Sequence, residues 1–322
     1  SKNEGIHPKE HVDMISSEIK NVYKQLDISY DAFVRTTDER HVKVVQNVFK
    51  KLFDQGDIYL GKYSGWYSVA EEAYIFDKDQ IESGVGPSGD KLIWTEEETY
   101  FLNLAKYQQQ LIKHIEDNPR FIQPETRRNE MLNFLKEPLR DLSVTRTTLE
   151  WGIETFDKKH VIYVWIDALT NYISGFDLDD NFDSEKMRHY WPADVHVIGK
   201  DILRFHTIYW PIMLLALDIP LPKVVFGHPW ILMNKSKMSK SLGNTLYTRE
   251  ILNHFHKDTL RYYMLHEIPY AQDGNLTYEL LININNSDLA NTLGNLVNRT
   301  IGMANKYRDG VIKRAFTTKT YE

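Results

Sequence analysis

At 322 residues, with 42% hydrophobic and 26% charged side chains, the chain is long enough for two domains with large cores. Its composition has none of the bias of a disordered or collagen-like protein. There is no cysteine, which excludes a disulfide framework and any thiolate-ligated zinc. The net charge of −6 gives no global attraction to a polyanion, so a nucleic-acid partner would need a local basic patch. The longest aliphatic run, Ile212 to Leu217, is too short to span a membrane.

The chain opens at Ser1 with neither a signal peptide nor an initiator Met, and it reads as an interior piece of a longer protein. Apolar residues at Val12, Ile15, Ile19, Val22 and Leu26 predict a helix over Lys9 to Leu26, and Val42, Val45, Val48 and Leu52 predict a second. From Asp57 to Trp94 short aromatic-rich pieces and Gly84, Gly86, Pro87 and Gly89 predict a small β-rich insertion with a flexible tip. Helical spacing returns from about Tyr100 to Ile115 and around Asn129 to Leu135.

Strands and helices then alternate. His160–Ile166, Val195–Ile198 and Lys223–Phe226 are apolar runs of strand length, with a helix-length segment, Ile202–Ala216, between the last two. Nearly continuous apolar strands indicate a parallel sheet covered on both faces. Ligands of such sheets sit beyond the carboxyl ends of the strands. Near those ends stand Trp165, Asp167, Lys200, Asp201, His228 and Trp230. Further on, Ser287 predicts the N-cap of a helix with one stripe of Leu289, Leu293, Leu296, Val297, Ile301 and Ala304 and an opposite face of Asn291, Asn295, Asn298 and Arg299.

Asn234 to Asn244, N-K-S-K-M-S-K-S-L-G-N, is the most informative segment. Lys235, Lys237 and Lys240 share a short loop with Ser236, Ser239 and Ser241, and Gly243 adds backbone freedom. Mobile ammonium groups, hydroxyls and exposed N–H groups suit a polyphosphate. A solvated lysine turn is the commoner fate of such a run. The literal word Lys237-Met238-Ser239-Lys240-Ser241 has a chance expectation on the order of one in ten thousand in a chain of this length, and it follows a parallel-sheet strand.

That word is the second signature of class I aminoacyl-tRNA synthetases. With Tyr163-Val164-Trp165-Ile166-Asp167-Ala168-Leu169-Thr170-Asn171-Tyr172, Val197-Ile198-Gly199-Lys200-Asp201-Ile202-Leu203-Arg204-Phe205-His206 and Asp288-Leu289-Ala290-Asn291-Thr292-Leu293-Gly294-Asn295-Leu296-Val297-Asn298-Arg299, essentially the whole chain resembles the methionyl-tRNA synthetases. The resemblance implies an α/β fold: a Rossmann-type parallel-sheet catalytic domain, an inserted connective-peptide subdomain and the start of an α-helical anticodon-binding bundle. It implies boundaries at 1–55 for a helical part of the catalytic domain, 56–140 for a zinc-free insertion and 141–232 for the second half of the nucleotide fold. The lysine loop and stem-contact region would be 233–284, and the start of the anticodon-binding bundle 285–322.

The implied activity is ATP-dependent formation of methionyl adenylate and transfer to tRNA(Met), with L-methionine, ATP and that tRNA as partners, Mg2+ accompanying ATP, no zinc and no membrane. The compartment would be the cytoplasm or the mitochondrial matrix. Trp165, Ala168, Leu169 and Tyr172, spaced i, i+3, i+4, i+7, would form one wall of a methionine pocket that Ile202, Phe205 and His206 close; a plain core stripe is the rival reading of that spacing. Thioether sulfur tolerates aromatic neighbours and weak donors.

Gly199, Asp201 and His228 would hold the adenosine side of ATP, Asp201 by accepting from the ribose diol or by capping a helix. Pro229 stands where the family usually has glycine. Lys237, Met238, Ser239, Lys240 and Ser241 would hold the phosphates, with Lys237 and Lys240 catalytic through charge stabilisation of the departing pyrophosphate. Arg146 resembles an arginine that ties the insertion to the active site, and Asn295 and Arg299 match anticodon-reading positions.

The chain departs from the family in two places. Its His-Ile-Gly-His type signature is absent, since Ser1 stands beyond it, so this piece alone is expected to be inactive. Where many members carry a zinc knuckle, Ser68 and Glu71 occupy the places of a Cys-x-x-Cys pair. Two other functions compete: a class I synthetase for another aliphatic amino acid, and a non-catalytic tRNA-binding module.

Overall fold

The computed structural model describes residues 5–70, 73–75, 77–147, 149, 151–238 and 244–312. They form two compact units, one within residues 1–13 and 30–228, the other within 14–29 and 229–322.

The helix α1 (Pro8–Gln25) has the expected bounds, but it buries none of its side chains. Helix α2 (Glu39–Asp54) is amphipathic in the ordinary way: His41, Val44, Val45, Val48, Phe49 and Leu52 recur every three or four residues and are buried as one face. The polypeptide then turns into a long antiparallel hairpin, β1 (Ile58–Ser68) against β3 (Ile93–Leu102), in register from Ile58↔Leu102 to Tyr67↔Ile93. The short strand β2 (Ala73–Tyr74) and helix α3 (Lys78–Ser83) lie between them, and Gly84 ends α3 in the left-handed region at φ 69°.

At the root of the excursion the Ser68 hydroxyl donates to both oxygens of Asp90, at 2.9 and 2.8 Å, and the Ala70 N–H adds a third bond at 3.3 Å. This carboxylate clasp occupies the place expected for a zinc knuckle; Glu71 lies outside the described residues. Trp66 and Trp94 pack edge to face at 5.5 Å across the hairpin.

Tyr100 to Leu102 belongs to β3 rather than to a helix. Phe101 and Leu102 pair on their other side with β5 (Leu142–Ser143), so strand pairing satisfies the backbone there. Helical geometry waits for Asn103, whose side chain accepts from the Lys106 N–H at 3.1 Å, and α4 runs over Gln108–Asp117.

Strand β4 (Ile122–Gln123) and helix α5 (Glu125–Phe134) follow, then β6 (Thr145–Arg146), β7 (Val161–Ile162) and α6 (Val164–Ser174). After α7 (Glu185–Tyr190) come β8 (His196–Gly199), α8 (Trp210–Ala216) and β9 (Val225–His228). A parallel sheet in the order β4-β9-β8 lies at the centre of this unit.

The apolar run His160–Ile166 is not one of its strands. Only Val161 and Ile162 form a strand, paired antiparallel with β6, and Val164 already begins α6. The third parallel strand is β4, which is too short for periodicity to reveal it. Between β8 and α8 the helix widens over Phe205–Tyr209 to i→i+5 bonding. Pro211 has no N–H to give to the carbonyl four residues back, which favours such a shift in the ladder. The apolar core centres on Trp210, Phe49, Phe121, Leu52 and Leu104.

In the other unit β10 (Ile231–Met233) and β11 (Ser236–Lys237) form a hairpin, and β10 pairs in parallel with β12 (Gly274–Asn275). Asn234 and Lys235 turn the hairpin with φ of 50° and 64°, the handedness that two-residue hairpin loops require. Helices α9 (Thr248–His254), α10 (Lys257–His266) and α11 (Tyr278–Ile284) enclose a small core of Ile251, Leu260, Tyr263, Leu276, Leu281 and Ile284. Helix α11 continues through a widened stretch, Asn285–Gly294, into α12 (Asn295–Arg308). Its N-cap is Thr277, whose hydroxyl accepts from Leu280 N–H at 3.2 Å, and not Ser287. Ser287 sits within the helical run, with its hydroxyl on Asp288 at 2.6 Å.

Asp157 links the hairpin to the β6–β7 region. It accepts from Thr155 Oγ1 (2.6 Å), Lys159 N–H (2.9 Å), Tyr100 O–H (3.0 Å) and His160 Nδ1 (2.9 Å). Burial works to raise its pKa, but these donors together hold it well below the usual carboxylate range. A depressed carboxylate stabilises the fold above its unfolded pKa of about 3.9, and that contribution is lost as pH falls toward the folded value. Asp157→Asn therefore lowers unfolding stability at pH 7 by about 1–3 kcal/mol. It also flattens the fall in stability below about pH 4; urea unfolding at pH 7 and pH 3 checks both.

Candidate active site

Helix α6 carries four of the proposed pocket residues, and its placement is set by a histidine from another element. His41 on α2, fully buried, lies with Nε2 2.6 Å from Asp167 Oδ1 in the first turn of α6 and with Nδ1 2.8 Å from Ser174 Oγ at its last residue. One imidazole thus fixes both ends of the helix. Asp167 also suits the positive end of the α6 dipole.

Of the predicted wall, Trp165, Tyr172, Phe205 and His206 meet one another. Trp165 stacks on Phe205 with centroids 3.7 Å apart and planes 8° from parallel, and it meets His206 edge to face at 6.1 Å. Rings in face contact leave no room between them, so a ligand must lie beside the stack or displace a ring. Tyr172 and His206 are 2.8 Å apart, Oη to Nε2. Leu169 is buried in the core, whereas Ala168 and Ile202 are half-buried.

The protons of this cluster follow from its acceptors. His206 Nδ1 lies 2.9 Å from the Ile202 carbonyl, which can only accept, so Nδ1 carries the hydrogen. Nε2 then accepts from the Tyr172 hydroxyl. Both donors expected to face a thioether sulfur are therefore engaged within the protein. His196 lies beneath: its ring is 4.1 Å from that of Tyr172, and its Nε2 accepts from Trp210 Nε1 at 3.2 Å. Burial pushes the His196 pKa down to about 4, holds His206 below its ordinary value against the pull of the Ile202 carbonyl, and pushes Tyr172 up to about 12. Burial thus favours the uncharged forms of all three side chains at physiological pH.

At the carboxyl ends of the central strands Gly199 and His228 are register partners on β8 and β9. A side chain at Gly199 would put its Cβ 2.6 Å from Asp201 Oδ1, so only glycine lets that carboxylate sit against the strand end. Asp201 and His228 are exposed there.

In the other unit Lys237, on β11, is exposed, with its ammonium 4.3 Å from the centre of the Trp230 ring. Asn244 Nδ2 donates to the Lys237 carbonyl at 3.1 Å, and Met238 packs against the small core. Ser239, Lys240, Ser241 and Gly243 lie outside the described residues. Asn295 and Arg299 stand one turn apart on α12, both exposed. Among the described residues no group of three or more His, Asp or Glu is placed to hold a metal ion. None of their helices is long and apolar enough to cross a membrane.

Residues 1–90 and 81–301 match the family model described as tRNA synthetases class I (M). The chain belongs to that family. It is 53% identical over 315 residues to a methionine–tRNA ligase of Clostridium acetobutylicum, covering 97% of this chain and 49% of the relative. It is 49% identical over 325 residues to the same-named protein of Bacillus subtilis, again covering 97% and 49%. The chain thus spans about half the length of the curated relatives it matches. Mycobacterium tuberculosis methionyl-tRNA synthetase in complex with methionyl-adenylate superposes with a TM-score of 0.88 at 40% identity, covering 98% of this chain and 64% of that one. The expected fold class holds: mixed α/β with a parallel sheet, an inserted hairpin subdomain and a helical carboxyl-terminal region.

His41, Ser174 and His196 were not expected from the sequence. Nothing in the spacing of one chain pairs residue 41 with residues 167 and 174, and a histidine inside a strand or helix gives no local signal of burial.

Heteronuclear NMR tests the proton assignment: both His206 and His196 appear as Nδ1–H tautomers, and His196 titrates near pH 4. A histidine with a lowered folded pKa stabilises the fold above its unfolded value of about 6.5, and this stability is lost as pH falls toward 4.

Proposed function

We propose that the protein containing this chain activates L-methionine with ATP to methionyl adenylate and passes the methionyl group to tRNA(Met). The carrying observation is the aromatic cluster of Trp165, Tyr172, Phe205 and His206, which joins α6 to the helical segment after the parallel strand β8, in a chain about half identical to proteins named as methionine–tRNA ligases. The uncharged forms of His196, His206 and Tyr172 support an uncharged thioether as the guest, since no formal charge on them would favour a polar side chain.

In this reading Trp165, Ala168, Leu169, Tyr172, Ile202, Phe205 and His206 bind methionine. Gly199, Asp201 and His228 bind adenosine. Lys237, Met238, Ser239, Lys240 and Ser241 bind the phosphates, with Lys237 and Lys240 stabilising the leaving pyrophosphate. No side-chain nucleophile is needed, because the methionine carboxylate itself attacks the α-phosphorus; catalysis is positioning and charge stabilisation. The contact of Lys237 with Trp230 is worth only about 0.5–1 kcal/mol at an exposed site, less than the roughly 1.5–3 kcal/mol of a charged hydrogen bond, so phosphate can draw the ammonium away.

Mg2+ would ride chiefly on the nucleotide's own oxygens and neutralise them. Zinc has no role in this account. Asn295 and Arg299 would read anticodon bases. The segments 1–55, 56–140, 141–232, 233–284 and 285–322 are proposed as the catalytic helical part, insertion, second nucleotide-binding half, lysine-loop region and start of the anticodon-binding bundle, in a protein that works in the cytoplasm.

ATP–pyrophosphate exchange on the full-length protein tests the assignment. Methionine should drive it. Removing the indole costs roughly 1.5–3 kcal/mol of apolar contact, so Trp165→Ala raises the methionine KM about ten- to hundred-fold with little change for ATP. Exchange driven by leucine, isoleucine or valine would mean another class I synthetase, and tRNA binding without exchange a binding module.

A further inference from the structure

Beside the aromatic cluster, within the same unit, lies a second cavity of about 420 Å³ between the root of the insertion and the parallel-sheet domain. Arg140, Arg146 and Arg204 line it, with Tyr163, Tyr209 and Phe134. Arg146 is 92% buried, being 8% exposed. Its Nη1 donates to Ser143 Oγ at 2.9 Å and to the Thr145 carbonyl at 2.7 Å, and its guanidinium lies 4.6 Å from the centre of the Tyr163 ring. The other two nitrogens of that guanidinium have no hydrogen-bond partner among the described residues. The Arg204 guanidinium carbon lies 4.1 Å from the centre of the Phe134 ring, and the residue is exposed. Two acids share the lining: Asp141, which accepts from Tyr59 O–H at 2.5 Å, and Glu137 on an exposed turn. Three guanidinium groups against two carboxylates give the lining a net positive charge, beside planar ring faces.

Guanidinium forks match phosphate oxygens, and ring faces accept a base or ribose; together they suit a phosphate-linked nucleotide. The location favours one source. Tyr209 meets Phe205 edge to face at 5.4 Å, and Phe205 stacks on Trp165, so the cavity is one ring away from the proposed methionine pocket. A ribose hydroxyl that is to be esterified must reach the methionyl carboxyl, and the phosphodiesters that precede it must then pass close by.

We propose that the cavity lined by Arg146, Arg204 and Tyr209 holds a phosphodiester near the 3′ end of the RNA substrate. The proposal rests on the ligase reading and adds to it the place where the second substrate's strand is held.

Arg204 is the residue to change, because it is exposed and its contacts, with the Phe134 ring and the Tyr209 hydroxyl, lie within the cavity lining. In the full-length protein Arg204→Glu lowers kcat/KM for transfer to tRNA at least about tenfold more than it lowers methionine-dependent exchange. It also reduces the slope of log affinity for tRNA against log salt by about 0.7, the loss of one single-strand phosphate contact. Arg204→Lys, which keeps the charge, recovers part of both. A single-stranded oligonucleotide with the tRNA 3′ sequence competes with tRNA for the unaltered protein and loses that ability with Arg204→Glu. A parallel fall in exchange and transfer overturns the proposal, because Arg204 would then act through the methionine wall. Competition by inorganic phosphate equal to that of the oligonucleotide overturns the RNA assignment. If the unaltered protein shows no methionine-dependent exchange, the ligase reading itself fails and the proposal falls with it.

Discussion

A single buried imidazole holds the orientation of α6. His41 reaches Asp167 at one end of that helix and Ser174 at the other, and neither partner can be replaced by solvent at a fully buried ring. Tyr172 projects from the helix between those two points and Trp165 two residues before the first, so their directions are inherited from a side chain on α2. Leaving a buried polar group unpaired costs about 1–3 kcal/mol, which makes this arrangement far more sharply defined than apolar packing alone would. The Tyr172–His206–Ile202 chain then couples α6 to the segment after β8 in the same directional way.

The cluster built on this frame is polar in its atoms but neutral in its charge. His206 and His196 each have one nitrogen accepting from a neighbour, and burial opposes a second proton on either. The aromatic faces therefore present an uncharged surface whose contacts are chiefly dispersive. The charged groups are placed elsewhere: guanidinium groups in the neighbouring cavity, carboxylate and imidazole at the strand ends, and ammonium on the β10–β11 hairpin.

The insertion is gathered at the far end of its hairpin by one carboxylate. A long hairpin is entropically costly at its open end, and here the Asp90 carboxylate gathers the Ser68 hydroxyl and the Ala70 amide, with the Trp66–Trp94 contact on the same strands. The Ser68 hydroxyl, above all, holds the Asp90 pKa below the carboxylate norm, so the clasp is ionised at neutral pH.

The sequence by itself determined the helical period of α2, the β8–helix–β9 crossover and the lysine-rich word after it. Each of these is a local pattern whose physical cause lies within a few residues. It misassigned His160–Ile166, because an apolar run reads alike whether it extends along a sheet or opens a buried helix; the pairing of β6 with β7 and the capture of Asp167 by His41 decided that. It placed a helix start at Ser287, where the tertiary structure runs one continuous helix from Thr277, whose hydroxyl takes the orphan amide first. Which donors are engaged, which histidines are neutral and which arginines converge on one cavity depend on groups from different elements, often tens of residues apart. Only the folded chain brings those groups within hydrogen-bonding distance, where direction and desolvation choose among them.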